Sequence, residues 1–380
     1  MISIKKEKVL LTPTDIEPSS QKFEVIGIFN PGAIRIANKD IVLYVRVCEK
    51  LIKTEDKKNV YSPRMIGKKR FKIKIDRFNK ETIKDKSELD FVFKNGTKRL
   101  TFISHFRRIV LDKTGFKIRE IDKKPSFFGI SSDGELGVED PRITKIENSY
   151  IMTYVSLSRE GNISTSYAIS KDCKNWKRKG IIFGEQDKDV VIFPEKINNK
   201  YVAFDRPEGN FYFSPPHIWI AFSKDLEYWG KLKPIRISKK HGWDCGRKGA
   251  GPPPIKTKKG WLLIYHAVKE KIKKEDKFLK EIKEIMGIKE VTEIPHYLIG
   301  AALFDLKNPM KLIAKSEYPI FSHYKEYEID PLENKRIIFP TGLVIDENKE
   351  DLLIFSGGGD KVVTVKKVSL KEILKNMKKI

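Results

Sequence analysis

Apolar residues in this chain gather in short runs instead of recurring at helical spacing. The clearest run is Tyr150-Ile-Met-Thr-Tyr-Val-Ser156. Runs rich in β-branched and aromatic residues, separated by Gly, Asn, Asp and Pro, predict strands joined by tight turns. One unit recurs five times, a small polar turn followed by an aromatic or aliphatic strand. Its copies are Asn38-Lys-Asp-Ile-Val-Leu-Tyr44, Glu147-Asn-Ser-Tyr-Ile-Met-Thr153, Asn198-Asn-Lys-Tyr-Val-Ala-Phe204, Lys259-Gly-Trp-Leu-Leu-Ile-Tyr265 and Lys349-Glu-Asp-Leu-Leu-Ile-Phe355. Three copies are followed by a second piece: Ala168-Ile-Ser-Lys-Asp-Cys-Lys-Asn-Trp176, Ala221-Phe-Ser-Lys-Asp-Leu-Glu-Tyr-Trp229 and, more loosely, Ala302-Leu-Phe-Asp-Leu-Lys-Asn-Pro309. This piece reads as a strand, a turn and a packing tryptophan. Five units at intervals of a few tens of residues predict an all-β fold with radial repetition, a five-bladed β-propeller forming one domain over residues 1–380.

Two segments depart from the pattern. Residues 78–125 carry short, charged strand signals and are expected to supply outer strands or long loops of the first blade. Residues 267–294 place Ile272, Phe278, Leu279, Ile282, Ile285 and Met286 at near-helical spacing among Lys and Glu, which predicts an inserted amphipathic helix. Its apolar stripe needs a cover, either the site or a second subunit, so a homo-oligomer stays open. A short helix is expected at Ser369-Leu-Lys-Glu-Ile-Leu-Lys-Asn-Met377, packing Leu370, Ile373, Leu374 and Met377.

Charge changes the picture only in part. The net charge is +25, from 76 basic and 51 acidic residues. The lysines are dispersed and interleaved with Glu, as in Lys269-Glu-Lys-Ile-Lys-Lys-Glu275, and no nucleic-acid-binding motif accompanies them, so no nucleic-acid partner is expected. A field of this sign also favours an anionic substrate or co-substrate. Cys48, Cys173 and Cys245 lie far apart without metal-ligand spacing, which points to a reducing cytoplasm and to no metal. No apolar run approaches the ~20 residues that cross a bilayer, so no membrane partner is expected.

The candidate chemistry lies where each strand unit ends in polar residues. The most informative stretch is Gly137-Val-Glu-Asp-Pro-Arg-Ile143: a proline beside a carboxylate restricts the backbone, and a neighbouring guanidinium orients the acid. Taken alone it is also a plain loop with an internal Asp-Arg pair. It is read as presenting one acid at the mouth of the following strand. Other units end in Asn30-Pro-Gly-Ala33 and Arg46, in Phe193-Pro-Glu-Lys196 and Asp205-Arg-Pro207, in Arg247-Lys-Gly-Ala-Gly-Pro-Pro-Pro254 and His266, and in Phe339-Pro-Thr-Gly342 and Gly357-Gly-Gly-Asp360. Acids such as Asp140, Asp205 and Asp360 suit sugar hydroxyls and proton transfer. Lys188, Arg206, Lys248 and His266 suit an oxyanion such as phosphate, because no matching set of acids accompanies them in the sequence.

Taken in order, these pieces, with Leu43-Tyr-Val-Arg-Val47, Phe193-Pro-Glu-Lys-Ile-Asn198 and Asp225-Leu-Glu-Tyr-Trp-Gly230, give the chain a specific resemblance over residues 25–365. It resembles glycoside hydrolase family 130, the mannoside phosphorylases and mannosidases. The resemblance implies a five-bladed propeller with a central sugar site. It implies inverting phosphorolysis of a β-mannoside in a short oligosaccharide, releasing mannose 1-phosphate, with inorganic phosphate as co-substrate and no other cofactor. Asp140 would be the acid, acting through a hydroxyl of the mannose. Phosphate would meet Arg206, Lys248 and His266, with Lys188 as a fourth. Sugar contacts would fall on Asn30, Arg46, Glu139, Arg142, Asp205 and Asp360. Two alternatives stay open: a β-mannoside hydrolase of the same fold, and a non-catalytic propeller that binds glycans.

Overall fold

The computed structural model describes residues 2–208, 214–238, 242–268, 297–321, 325–330 and 335–380. Five antiparallel sheets dominate, four of four strands and one of six. Each predicted strand unit supplies the second strand of one sheet: Ile41–Leu51, Ser149–Ser158, Tyr201–Pro207, Gly260–Val268 and Asp351–Gly358. Each pairs with an earlier strand, respectively Phe23–Arg35, Gly137–Ile146, Asp187–Ile192, Lys248–Ala250 and Ile338–Ile345.

The strands are apolar along nearly their whole length because both faces of each sheet are covered. Side chains alternate between faces, so Trp261, Leu263, Tyr265 and Ala267 pack towards the third sheet, while Leu262 and Ile264 pack towards the fifth. The core is accordingly divided into layers between sheets: first against second, second against third, third against fourth, fourth against fifth and fifth against first. Burying one large apolar side chain contributes about 1.5–3 kcal/mol, so these layers set how the sheets sit against one another.

The turns follow the sequence. Asp172 accepts hydrogen bonds from the Lys174 and Asn175 amides, Asp225 from those of Glu227 and Tyr228, and Asp305 from those of Lys307 and Asn308. These side chains mimic a backbone turn, and Trp176 then packs edge-on against Tyr44 at 5.6 Å. Residues 78–125 supply the outer strands Phe102–Leu111 and Ile118–Ile121 of the first sheet and a separate three-stranded sheet, Ile83–Lys86, Asp90–Phe93 and Lys98–Leu100.

Both chain ends join sheets distant in sequence. Ile4–Leu11 pairs with Val362–Ser369 in the fifth sheet. The expected C-terminal helix forms over Leu370–Lys375, capped by Ser369, and Met377–Lys379 then pairs with Leu312–Ser316 of the fourth sheet. Of the helix expected over 267–294, Ala267 and Val268 are the last residues of the strand Gly260–Val268, and the remainder lies outside the described residues. Among the described residues, no helix is long and apolar enough to cross a membrane.

Candidate active site

The Gly137-to-Ile143 stretch is itself the first strand of the second sheet, not a loop before it. Glu139 pairs with Val155 and Arg142 with Thr153, so Asp140 and Pro141 together oppose a single residue. Proline cannot donate to the ladder and is tolerated at such a bulge. Asp140 takes a left-handed backbone, φ +50°. For a residue that is not glycine this costs of order 1–3 kcal/mol and persists only where the surroundings over-determine it.

The same break recurs in the neighbouring sheets at the same register. In the first sheet Phe29 pairs with Arg46 and Gly32 with Tyr44, leaving Asn30 at the break with φ +47°. In the third, Lys188 pairs with Arg206 and Val191 with Phe204, leaving Asp189 at the break with φ +58°. Register thus makes Asn30, Asp140 and Asp189 equivalent. It also makes Arg46 and Arg206 equivalent to each other; in the fourth sheet His266 pairs with Gly249 in a register without such a break.

One group of predicted residues closes around Asp140. Asn30 Nδ2 donates to Asp140 Oδ1 at 2.9 Å, and Arg46 Nη1 donates to the same oxygen at 3.2 Å. Arg46 Nη2 binds Glu139. Both hydrogen bonds to the carboxyl reach Oδ1; Oδ2 has no partner among the described residues. The side chains of Arg46, Glu139 and Asp140 stay 12–15% exposed, so this corner opens to solvent. Burial opposes the charge on Arg46, but Glu139 and Asp140 outweigh it and hold the guanidinium charged. Asp360, also left-handed at φ +50°, lies near enough to Arg46 for their charges to act on each other. Crowding by protein and repulsion from Asp140, Asp330 and Glu139 push its carboxyl upward against the pull of Arg46; its exposure to solvent tempers that push. Gly357 permits the close approach here, since a Cβ would lie 2.2 Å from Asn30 Oδ1.

A second group closes around Asp189, which the sequence reading did not single out. Arg142 Nη2 donates to Oδ1 at 3.0 Å and Arg206 Nε to Oδ2 at 2.7 Å, while His266 Nε2 approaches Oδ2 at 3.3 Å. Burial alone would raise the Asp189 carboxyl, but Arg206, His266 and Arg142 hold it well below the usual carboxylate range. Burial pushes His266 down against the pull of Asp189, which favours the neutral imidazole. Glu208, also unanticipated, accepts from Arg206 Nη1 at 2.9 Å and pairs with Arg247 at 2.8 Å. The expectation that the cations come without matching acids is therefore corrected. The acids sit one residue past Lys188 and two past Arg206, and only the register of the strand breaks, which the structure supplies, sets Asp189 level with Asp140.

Arg142 joins the two groups. Its Nη1 donates to the Asp140 backbone oxygen at 2.8 Å and its Nε to Gly251 O at 3.0 Å. Phe339 packs beside this corner, 4.3 Å from the His266 ring and 5.8 Å from the Arg142 guanidinium. Lys248 is buried next to Gly249, whose Cβ, if it had one, would meet Asp189 Oδ2 at 2.1 Å. Lys188 is half-buried, opposite Arg206 in register. Asp205 is placed apart from both groups. Its side chain points to the opposite face from Arg206, and its carboxyl meets that of Asp187. Burial pushes both of these carboxyls upward, Asp187 further because Asp205 and Asp189 repel its charge, so the pair retains a proton. No group of His, Cys, Asp and Glu among the described residues could hold a metal.

A family model described as β-1,4-mannooligosaccharide phosphorylase matches residues 113–379. A β-1,2-mannobiose phosphorylase from Listeria innocua is 31% identical, covering 97% of this chain and 96% of that relative. A 1,2-β-oligomannan phosphorylase from a Thermoanaerobacter species is 34% identical over 69% of this chain and 78% of the relative. The solved structure of the Listeria innocua enzyme with β-1,2-mannobiose superposes with a TM-score of 0.80 at 30% identity, covering 97% of this chain and 96% of that one. An acid fixed at a strand break, a buried cationic corner tied to it by one arginine, and likeness over nearly the whole chain agree: this chain belongs to glycoside hydrolase family 130.

Proposed function

We propose that the protein cleaves β-linked mannosides with inorganic phosphate, releasing mannose 1-phosphate with inversion, and that its substrate is a short β-1,2-linked mannoside. The observation that carries this reading is the bridge made by Arg142, which holds the Asp140 backbone with one amino group and the Asp189 corner with another. An acid and an anion-binding corner are thereby held in one rigid unit. The β-1,2 preference is supported by the Listeria innocua relative, which matches over nearly the whole chain.

In this reading the five sheets are blades of a five-bladed propeller forming a single catalytic domain. The five interleaved core layers and the pairing of the first strand with the last sheet support it. The three separate free cysteines support a reducing, cytoplasmic setting.

Asp140 is the general acid. With Oδ1 held by Asn30 and Arg46, Oδ2 is the oxygen left to carry a proton towards the leaving oxygen, by way of a mannose hydroxyl. Arg46, Glu139 and Asp360 line the sugar side. Arg206, Lys248 and His266, with Lys188 beside them, receive phosphate on the opposite face of the sugar, as inversion requires. Arg206 keeps Nη2 without a partner among the described residues while Nε and Nη1 are held by Asp189 and Glu208, so one edge of a fixed guanidinium is left for the dianion. Phosphate replaces the base-activated water of an inverting hydrolase, so one catalytic carboxylate suffices.

The test is product identity with β-1,2- and β-1,4-mannobiose, each with and without phosphate. Mannose 1-phosphate formed only with phosphate, and faster from the β-1,2 disaccharide, is expected. Free mannose at the same rate without phosphate would replace the phosphorylase reading with the hydrolase.

A further inference from the structure

We propose that Asp189 is the positioning residue of the phosphate pocket: one buried carboxylate that sets the places of Arg142, Arg206 and His266 without touching the sugar. This rests on the phosphorylase reading above and adds a residue to it. Three facts support the assignment. The carboxylate collects groups from three successive sheets, Arg142 from the second, Arg206 from the third and His266 from the fourth. It is 2% exposed, so no solvent competes for these contacts. Its own place is fixed from below by a left-handed backbone at φ +58° within a strand break.

Asp189 accepts from Arg206 through Nε, which orients the guanidinium and leaves Nη2 without a partner among the described residues, and it lies 3.3 Å from a histidine whose ring nitrogens have no other partner among those residues. Phosphate contacts made by these groups therefore depend on the carboxylate behind them. The arrangement also explains Gly249. Any Cβ there would lie 2.1 Å from Asp189 Oδ2 and 2.7 Å from His266 Cε1, so only glycine lets the fourth sheet close against the carboxylate.

Two variants test this without altering any group proposed to touch phosphate. Asp189→Asn removes the charge at constant shape. Gly249→Ala leaves every charge in place and forces Asp189 and His266 apart. For both, the KM for phosphate is expected to rise about 10- to 10²-fold, the range for weakening a charge-assisted hydrogen bond, with a much smaller change in the KM for the disaccharide. Phosphate should also lose its ability to raise the Tm of each variant while the disaccharide keeps its effect. A variant that folds with the wild-type KM for phosphate overturns the role of Asp189. So does an equal rise for both substrates, because a general loss of structure would move both. If either variant fails to fold, the other decides. A wild-type enzyme that turns over equally without phosphate would instead remove the reading beneath, which separates the two failures.

Discussion

Asp140 and Asp189 occupy the same position in adjacent sheets, yet they have become opposite kinds of carboxylate. Each follows the residue before a two-against-one strand break, and each holds a left-handed backbone within ten degrees of the other. Asp140 is met by one arginine and one neutral amide on a single oxygen, and its side chain stays 15% exposed. Asp189 is met by two arginines and approached by a histidine, on both oxygens, and is shut from solvent. A repeated strand break therefore presents a polar side chain, Asn30, Asp140 or Asp189, at the same place in three of the sheets. What it does there depends on how many cations the neighbouring sheets bring. One cation, and one oxygen without a partner among the described residues, are the setting in which an acid's role is proposed for Asp140. Two arginines, a histidine and burial leave a counter-ion held in its charged form.

The largest test of this contrast is Asp140→Asn. The amide keeps the shape and the contact with Arg46 but has no proton to give, so kcat should fall about 10²–10⁴-fold, with Tm near that of the wild type. A mutant with kcat near wild type would remove Asp140 from the acid's role.

Arg142→Met asks whether the two corners work as one unit. It leaves Asp189 short of one cation and frees the Asp140 backbone. Stability should fall by about 3 kcal/mol in denaturant unfolding, the low end for breaking a buried pair, because Arg206 remains. Activity should fall through kcat and through the KM for phosphate together. Loss in only one of the two would mean that the corners act separately.

Asp187→Asn probes the third carboxylate environment, the pair Asp187–Asp205. The folded pair holds a proton that the unfolded chain gives up near the ordinary aspartate value of about 3.9. The unfolded state then binds fewer protons than the folded one above that pH, so stability declines as pH rises from about 4 towards the elevated titration of the pair. Arg206, which favours the ionised form, and Asp189, which opposes it, are the charged groups acting on Asp187 from the adjoining positions. An amide at 187 stays neutral throughout. The variant should therefore gain on the wild type in Tm between pH 6 and pH 9. A Tm difference constant across that range would sink the shared proton.

The smallest effect is expected from Gly357→Ala, whose Cβ would press on Asn30 Oδ1. Asn30 would shift its grip on Asp140, and kcat should fall within about tenfold, or about 1.4 kcal/mol. Turnover unchanged within error would show that Asn30 is not needed to hold the acid.

Much of this molecule is legible without coordinates. The five strand units, the aspartate-led turns after Ser170, Ser223 and Phe304, and the C-terminal helix are local matters. Turn chemistry, β-branched runs and a capping serine decide them within a few residues. Asn30, Arg46, Glu139 and Asp140 were all legible too, and they do meet. Asp189 was not, because an acid between Lys188 and a buried valine run resembles any strand-edge charge. Its meaning appears only once register places it level with Asp140. Asp205 shows the reverse: it is adjacent to Arg206 in sequence, but alternation along the strand sends the two side chains to opposite faces, and Asp205 turns to Asp187.

The sequence by itself determined that the chain would be β-rich, where its five strand units would lie, and which acid stood out, because these follow from periodicity and from residue chemistry over short spans. Tertiary structure alone decided which sheet each chain end would join, which cations would converge on one carboxylate, and which of two equivalent aspartates would have an oxygen with no partner among the described residues. Those outcomes depend on contacts between residues far apart in the chain, 47 and 77 positions for Asp189 with Arg142 and His266 and 110 for Asp140 with Asn30. Such distances close only when apolar layers between the sheets are buried, and nothing local to either residue records them.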